Sequence, residues 1–296
     1  MNLKSFNTKI NYSGRLAILA AVCLFFALGC KERPAETPPT ETKVSVMDSI
    51  MQNKPRGNGN TYRMRVLSKP DIIQAGKQVV FSFTPQIVGK ETEPVPLDVD
   101  HGYEMHLIMI SNDLSWFELR HPGLSDLGTY EQNFSFEKGG VYNLFAEYKP
   151  TGSIDTVQVK TIGVNGGSVK SVTFSEPRLT SMALPYSVIL SPGEGGKFES
   201  GKMQTILAAI TKNGEVIDPN TLGDYLGGKG HMVIINIYDK AFLHVYPVVE
   251  NGNLVFHTMF AKPGLYRAWL QFQTDNIVRT SDFVIQVEET IEKSNE

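Results

Sequence analysis

The sequence predicts an all-β protein of two tandem immunoglobulin-like β-sandwich domains, and two observations carry that expectation. The first is an internal repeat. Sliding the chain by 125 residues puts His106 on His231, Phe117 on Phe242, Pro122 on Pro247, Gly76-Lys77 on Gly201-Lys202 and Gly89 on Gly214. After one loop the offset becomes 124, so Gly140-Val141-Tyr142 falls on Gly264-Leu265-Tyr266. Two copies are too few for a solenoid and mark a duplicated domain. The second is the pattern inside each copy: about seven short β-branched or alternating runs in roughly 100 residues, the count and size of an immunoglobulin-like sandwich.

The elements follow in order. Residues 1–29 are expected to be a lipoprotein signal peptide. Lys4, Lys9 and Arg15 make a basic start, and Leu16 to Leu28 is an apolar run too short for a comfortable membrane span. The run ends Ala27-Leu28-Gly29-Cys30, a small residue before a cysteine, which resembles a bacterial lipobox and implies cleavage before Cys30 and lipid on its sulfur. Residues 30–60 contain ERPAETPPTET and too little apolar surface to fold, so they are expected to be a disordered, Pro-rich tether.

The first sandwich is expected over 61–164. Tyr62 to Leu67 and Lys77 to Thr84 alternate as strands do, and Gln74-Ala75-Gly76 turns between them. Glu104 to Ser111, the turn Asn112-Asp113-Leu114-Ser115 and Trp116 to His121 form a hairpin. Tyr130 to Phe136, Asn143 to Tyr148 and Ser153 to Ile162 are further strands. Gly140-Val141-Tyr142, with Gly264-Leu265-Tyr266 in the second copy, resembles a tyrosine corner. Asn165 to Ser168 links the copies. The second sandwich is expected over 171–288, with Asn213-Gly214 as a two-residue hairpin turn, and 289–296 as a polar tail. The run LGDYLGGKG, Leu222 to Gly230, lacks the Lys-Ser pair and helix of a phosphate loop; its glycines predict close backbone approach.

The repeated hairpin carries the candidate chemistry. With a symmetric four-residue loop His106 lies opposite His121 in the first copy. In the second His231 lies opposite Tyr246, with His244 diagonal on the same face. Directly opposed Cβ atoms are about 5 Å apart and diagonal ones about 7–8 Å, within reach of one metal held at about 2.0–2.1 Å from each nitrogen. His257 shares a strand face with Met259 and joins the second pair if its strand neighbours that hairpin. Met105, Met232 and Met259 adjoin the histidines. Thioether with imidazole suits Cu(I), but these methionines are read as core. The structural alternative is a set of buried histidines that fix strand register. The proline after His121 and after Tyr246 ends each strand, which predicts a site at a sheet end where water enters.

These residues carry a resemblance. An H-φ-φ-φ strand followed by F-x-H-x-H-P is similar to the pattern of YtkA-like proteins, secreted or membrane-anchored bacterial β-sandwiches found in two copies and beside metal-handling proteins. The resemblance covers 62–165 and 180–288. Here Phe117-Glu118-Leu119-Arg120-His121-Pro122 keeps the second histidine of the motif, and Phe242-Leu243-His244-Val245-Tyr246-Pro247 keeps the first. The resemblance implies a secreted or membrane-anchored protein, and together with the lipobox-like Cys30 it predicts a lipid-anchored, extracytoplasmic protein of the cell membrane or outer membrane.

Composition excludes several classes. The net charge is −3, and without the three basic residues of the first 29 the balance is 25 basic against 31 acidic side chains, with no basic cluster for nucleic acid. The two cysteines are Cys23 and Cys30, so the expected mature domains hold no disulfide and no thiolate nucleophile or ligand. No G-x-S-x-G, H-E-x-x-H, C-x-x-C or Walker motif is present, and no enzyme is expected. Two functions remain: binding of copper, zinc or another divalent metal by His106, His121, His231, His244 and His257, or a metal-free envelope adaptor that binds a protein or glycan through exposed aromatics, with Trp116, Tyr225 and Tyr238 as candidates.

Overall fold

The computed structural model describes residues 57–167, 170–193 and 196–291; the expected signal peptide, Cys30 and nearly all of the tether lie outside them. Twenty strands run in chain order: β1 (Tyr62–Lys69), β2 (Ile73–Gln74), β3 (Gln78–Ile87), β4 (Met105–Ser111), β5 (Phe117–Arg120), β6 (Gly123–Leu124), β7 (Tyr130–Ser135), β8 (Gly140–Tyr148), β9 (Thr156–Asn165), β10 (Thr180–Ala183), β11 (Tyr186–Pro192), β12 (Phe198–Glu199), β13 (Met203–Lys212), β14 (Glu215–Val216), β15 (His231–Asn236), β16 (Phe242–Val245), β17 (Val248–Glu250), β18 (Asn253–Met259), β19 (Gly264–Thr274) and β20 (Ile277–Glu288). One 3-10 turn, Pro219–Thr221, is the exception to an all-β chain among the described residues. None of their helices is long and apolar enough to cross a membrane.

The strands form two sandwiches of the same design. In the first, sheet β1-β3-β7-β6 covers sheet β2-β9-β8-β4-β5. In the second, β10-β11-β13-β18-β17, with β14 added on β13, covers β12-β20-β19-β15-β16. Strands β1 to β9 correspond in order to β11, β12, β13 and β15 to β20, with β10 and β14 as additions. The pairing of β2 with β9 and of β12 with β20 is parallel; the other pairings are antiparallel. Two sheets of this strand order are the immunoglobulin-like arrangement.

Each sandwich has its own core. Phe81, Phe83, Met105, Leu107, Met109 and Leu144 are among the side chains that fill the first. Leu190, Ile206, Met232, Ile234, Phe256 and Phe283 belong to the second. Met105 and Met232 are fully buried, as expected, whereas Met259 is 48% exposed, contrary to expectation. It follows His257 by two residues on β18, whose outward positions face solvent.

A third apolar cluster joins the sandwiches. Ile108, Ile110, Leu114, Leu119 and Phe145 pack with Leu226, Val233, Ile235 and Trp269. Phe117 stacks on Trp269 with centroids 5.0 Å apart, and Phe145 on Phe242 at 5.1 Å. Strands β4 and β15 are therefore buried on both faces. Their runs LIMI (107–110) and MVII (232–235) are continuously apolar because alternate residues enter different cores. The guanidinium of Arg267 is buried here. Its Nε donates to Leu114 O at 3.1 Å across the junction, and its other nitrogens reach Phe283 O (2.9 Å) and Asp282 Oδ2 (2.8 Å).

Local expectations are met at several points. The Tyr142 hydroxyl donates to Lys138 O at 2.8 Å and that of Tyr266 to Lys262 O at 2.7 Å, so both copies carry the tyrosine corner. Asn213 and Gly214 both have positive φ and join β13 to β14, as a type I′ turn requires. Gly230 has φ +140° and lies so close to Gln271 that a Cβ would sit 2.4 Å from its carbonyl oxygen.

Tyr266→Phe is expected to lower unfolding free energy by about 1 kcal/mol, the net worth of one hydrogen bond, read from the urea midpoint. Arg267→Ala is expected to cost about 3 kcal/mol because it strips partners from buried carbonyls and from half of the Asp282 pair; a midpoint shift no larger than that of Tyr266→Phe would contradict it.

Candidate functional site

The hairpin registers match expectation: Leu107 pairs with Arg120 and Met232 with Val245, which carries His106 opposite His121 and His231 opposite Tyr246. Because His106 and His231 lie on the faces of β4 and β15 that meet at the junction, the two hairpins converge. His106 lies 5.0 Å from His121 and 5.6 Å from His244 between ring centroids, and His231 lies 4.8 Å from His244. Four histidines expected as two separate pairs form one cluster. Its centre is buried: His106 is 2% exposed and His231 0%, so the expected opening to water at the sheet end is largely closed, with His121 at its half-buried edge.

Strand β8 and strand β19 supply two residues absent from the expected set. Glu147 pairs with His106 on β4, and Gln271 pairs with His231 on β15. The 124-residue offset superposes Glu147 on Gln271, so a polar residue recurring inside two apolar strands was the signal. Glu147 reaches across the junction, its Oε2 2.5 Å from His244 Nδ1.

Hydrogen-bond logic fixes the tautomers. Gln271 Nε2 donates to Thr280 Oγ1 at 2.9 Å, which turns its Oε1 to His231 Nε2 at 2.9 Å as an acceptor. His231 therefore carries its proton on Nε2, and its Nδ1 accepts from His244 Nε2–H at 2.8 Å. That leaves His244 Nδ1 as an acceptor facing a protonated Glu147. Burial pushes the Glu147 carboxyl up to about 7 and the His244 imidazole down to about 3, shifts that agree on a neutral pair rather than an ion pair. Burial likewise lowers His121 to about 3, His106 below its ordinary value and His231 well below it, with the neighbouring imidazoles adding to the shift.

Two nitrogens are left over. His106 Nε2–H donates to Asp100 O at 3.1 Å, so its Nδ1 presents a lone pair. His106 Nδ1 and His121 Nε2 are buried without a hydrogen-bond partner among the described residues. Rings cover the cluster from both sandwiches. Tyr103 stacks on His121 at 3.6 Å, and His101 stacks on Tyr246 at 3.3 Å across the junction. The void beside His106 and Glu147 is about 10 Å³, at the lower limit for one water. Among the described residues no three His, Cys, Asp or Glu side chains are already set around one point as a metal cage.

His257 is elsewhere. Its strand, β18, pairs with β13 and β17 in the outer sheet of the second sandwich, and Nδ1 lies 3.3 Å from Thr205 Oγ1. The expected aromatic patch does not form. Trp116 packs against the first core and Tyr225 against the junction, and only Tyr238 of the three is exposed, at 77%.

The family described as Domain of unknown function (DUF8832) matches residues 185–289, most of the second sandwich. No curated protein sequence matches the chain. Solved structures similar to it include the fibronectin(III)-like modules of Clostridium thermocellum CbhA, at 14% identity over 78% of this chain and 98% of that one, with a TM-score of 0.23. A 1.5-MDa bacterial ice-binding adhesin matches at 9% identity over 78% of this chain and 65% of the other, TM-score 0.23. Carbohydrate-binding modules from the β-sandwich superfamily match at 10% identity over 77% and 92%, TM-score 0.23. Likeness this slight bears on neither ligand nor partner.

The buried neutral histidines set a pH dependence. Their folded pKa values lie below the unfolded value near 6.5, so between about 6.5 and 3 the unfolded chain binds more protons and stability is lost as the pH falls, by up to about 1.4 kcal/mol per unit for each histidine. Glu147, raised to about 7, works in the opposite sense between its unfolded value and 7 and offsets part of one histidine. Urea midpoints are thus expected to drop steeply from pH 6.5 to 5, and a flat profile would refute the neutral cluster. Glu147→Gln, whose amide also donates to His244, is expected to keep neutral-pH stability within about 1 kcal/mol.

Proposed function

We propose that this chain is a lipid-anchored, extracytoplasmic bacterial protein that binds a transition-metal ion, copper or zinc, at the histidine cluster between its two sandwiches and catalyses no reaction. The observation that carries the reading is the pair of unpartnered imidazole nitrogens, His106 Nδ1 and His121 Nε2, buried beside two more neutral histidines. An unpaired polar atom in a dry core is costly, and four neutral imidazoles are a donor set for copper or zinc. His106, His121, His231 and His244 would hold the ion, which supplies the missing partner for the two orphaned nitrogens. The His106 Nε2–H bond to Asp100 O fixes its ring with the other nitrogen presented, as carbonyls behind ligating histidines do.

The His231–His244 hydrogen bond occupies two of the four donors, so loading requires that bond to open and the stacked His101–Tyr246 and Tyr103–His121 covers to part. This makes the site slow to fill and shielded once filled. The resemblance to YtkA-like proteins is in keeping with a metal-handling role. Anchoring by lipid on Cys30, with residues 30–60 as tether, would hold 61–164 and 171–288 away from the membrane.

A second reading, a metal-free envelope adaptor for a protein or glycan, is favoured by the chain Glu147–His244–His231–Gln271–Thr280, which is complete without an ion. Calorimetric titration of the full-length chain with Cu(II), Cu(I) under reductant and Zn(II), beside His106→Ala/His231→Ala, separates the two. One ion bound per pair of sandwiches at this cluster, lost in the variant, supports the metal site. No heat of binding, or binding unchanged in the variant, leaves the cluster as a structural lock.

A further inference from the structure

The outer face of the second sandwich pairs methionines where a solvent-facing sheet ordinarily carries polar side chains. Met203 on β13 lies directly opposite Met259 on β18. They are 37% and 48% exposed. His257 points out of the same face, two residues before Met259, and is also exposed. Single surface hydrophobics need no explanation, but two thioethers brought together by register beside an exposed imidazole form a chemically distinct group.

We infer that Met203, Met259 and His257 form a surface site for a soft monovalent cation, Cu(I), separate from the interdomain histidines. Opposed Cβ atoms lie about 5 Å apart, and residues i and i+2 on one strand about 7 Å. Methionine side chains, flexible about three bonds, close those spans around one ion. Thr205 steadies the His257 ring, its Oγ1 3.3 Å from Nδ1, and leaves Nε2 for a ligand. A shallow depression of about 620 Å³ adjoins the group, lined by Met203, Thr205 and His257 and bordered by Glu199 and Glu250. Glu199 is paired with Lys202; Glu250 adds negative charge at the rim. Thioether with imidazole selects Cu(I) over Zn(II). The assignment rests on register and exposure in the outer sheet and stands whether or not the buried cluster binds metal.

Ag(I), a redox-silent surrogate, tests it on the full-length chain carrying methyl-labelled methionine. The Met203 and Met259 methyl resonances are expected to shift together and saturate at one equivalent. Met203→Leu/Met259→Leu, which conserves apolar volume, is expected to take up one equivalent less and to hold Cu(I) at least tenfold more weakly against a chromophoric chelator. His257→Ala is expected to weaken it in the same assay. The shifts are expected to persist in His106→Ala/His231→Ala, which reads the two sites apart. Unshifted methyl resonances on Ag(I) addition, or undiminished stoichiometry and affinity in the Leu/Leu variant, would overturn the assignment.

Discussion

The structure depends on two strands that must be buried on both faces. β4 and β15 send Met105, Leu107 and Met109, or Met232 and Ile234, into their own sandwich cores. Their alternate residues, Ile108, Ile110, Val233 and Ile235, would lie open to water on an isolated sandwich. Each sandwich therefore needs the other, and the packing of two inner sheets is the solution that hides both apolar faces at once. Arg267 and the aromatic stacks set the register of that packing, since a buried guanidinium held by Phe283 O and Asp282 in its own sandwich reaches Leu114 O across the junction in only one placement.

That placement determines the electrostatics of the histidines. An imidazole on the exposed face of a lone sheet would titrate near its ordinary value. Between two sheets, the charged form loses hydration and meets neighbouring rings, so all four are held neutral. Glu147 responds to the same burial by keeping its proton. A neutral carboxyl can donate, and the donation propagates through His244 and His231 to Gln271 and Thr280. The chain satisfies one half of the cluster and leaves His106 Nδ1 and His121 Nε2 in the other half unsatisfied. This asymmetry between duplicated halves is the observation on which the proposed site rests.

The duplication has diverged in a consistent way. Where the first copy has His121, the second has Tyr246; where the first has Leu119, the second has His244; where the first has Glu147, the second has Gln271. Each hairpin taken alone carries an incomplete set, and the sets complement each other across the junction. The outer sheets diverge further, since the Met203, Met259 and His257 group belongs to the second sandwich, the portion that the described family covers.

The sequence by itself determined the longer strands, the duplicated halves, the hairpin registers that place His106 opposite His121 and His231 opposite Tyr246, and the two tyrosine corners, though not the short edge strands such as β2, β6 and β17. These are local: period-two alternation, turn chemistry and a repeated offset are set within a few residues along the chain. It also held the sign of double burial, in the unbroken apolar runs of β4 and β15, without saying what would cover the second face. The tertiary structure alone decided that the two histidine pairs are one cluster, that Glu147 joins it from across the junction, that His257 does not, and that Trp116 and Tyr225 are packed away. The reason is physical. Contacts between sandwiches arise from matching whole faces, and a face is assembled from strands far apart in sequence, so no local pattern records which face it will meet.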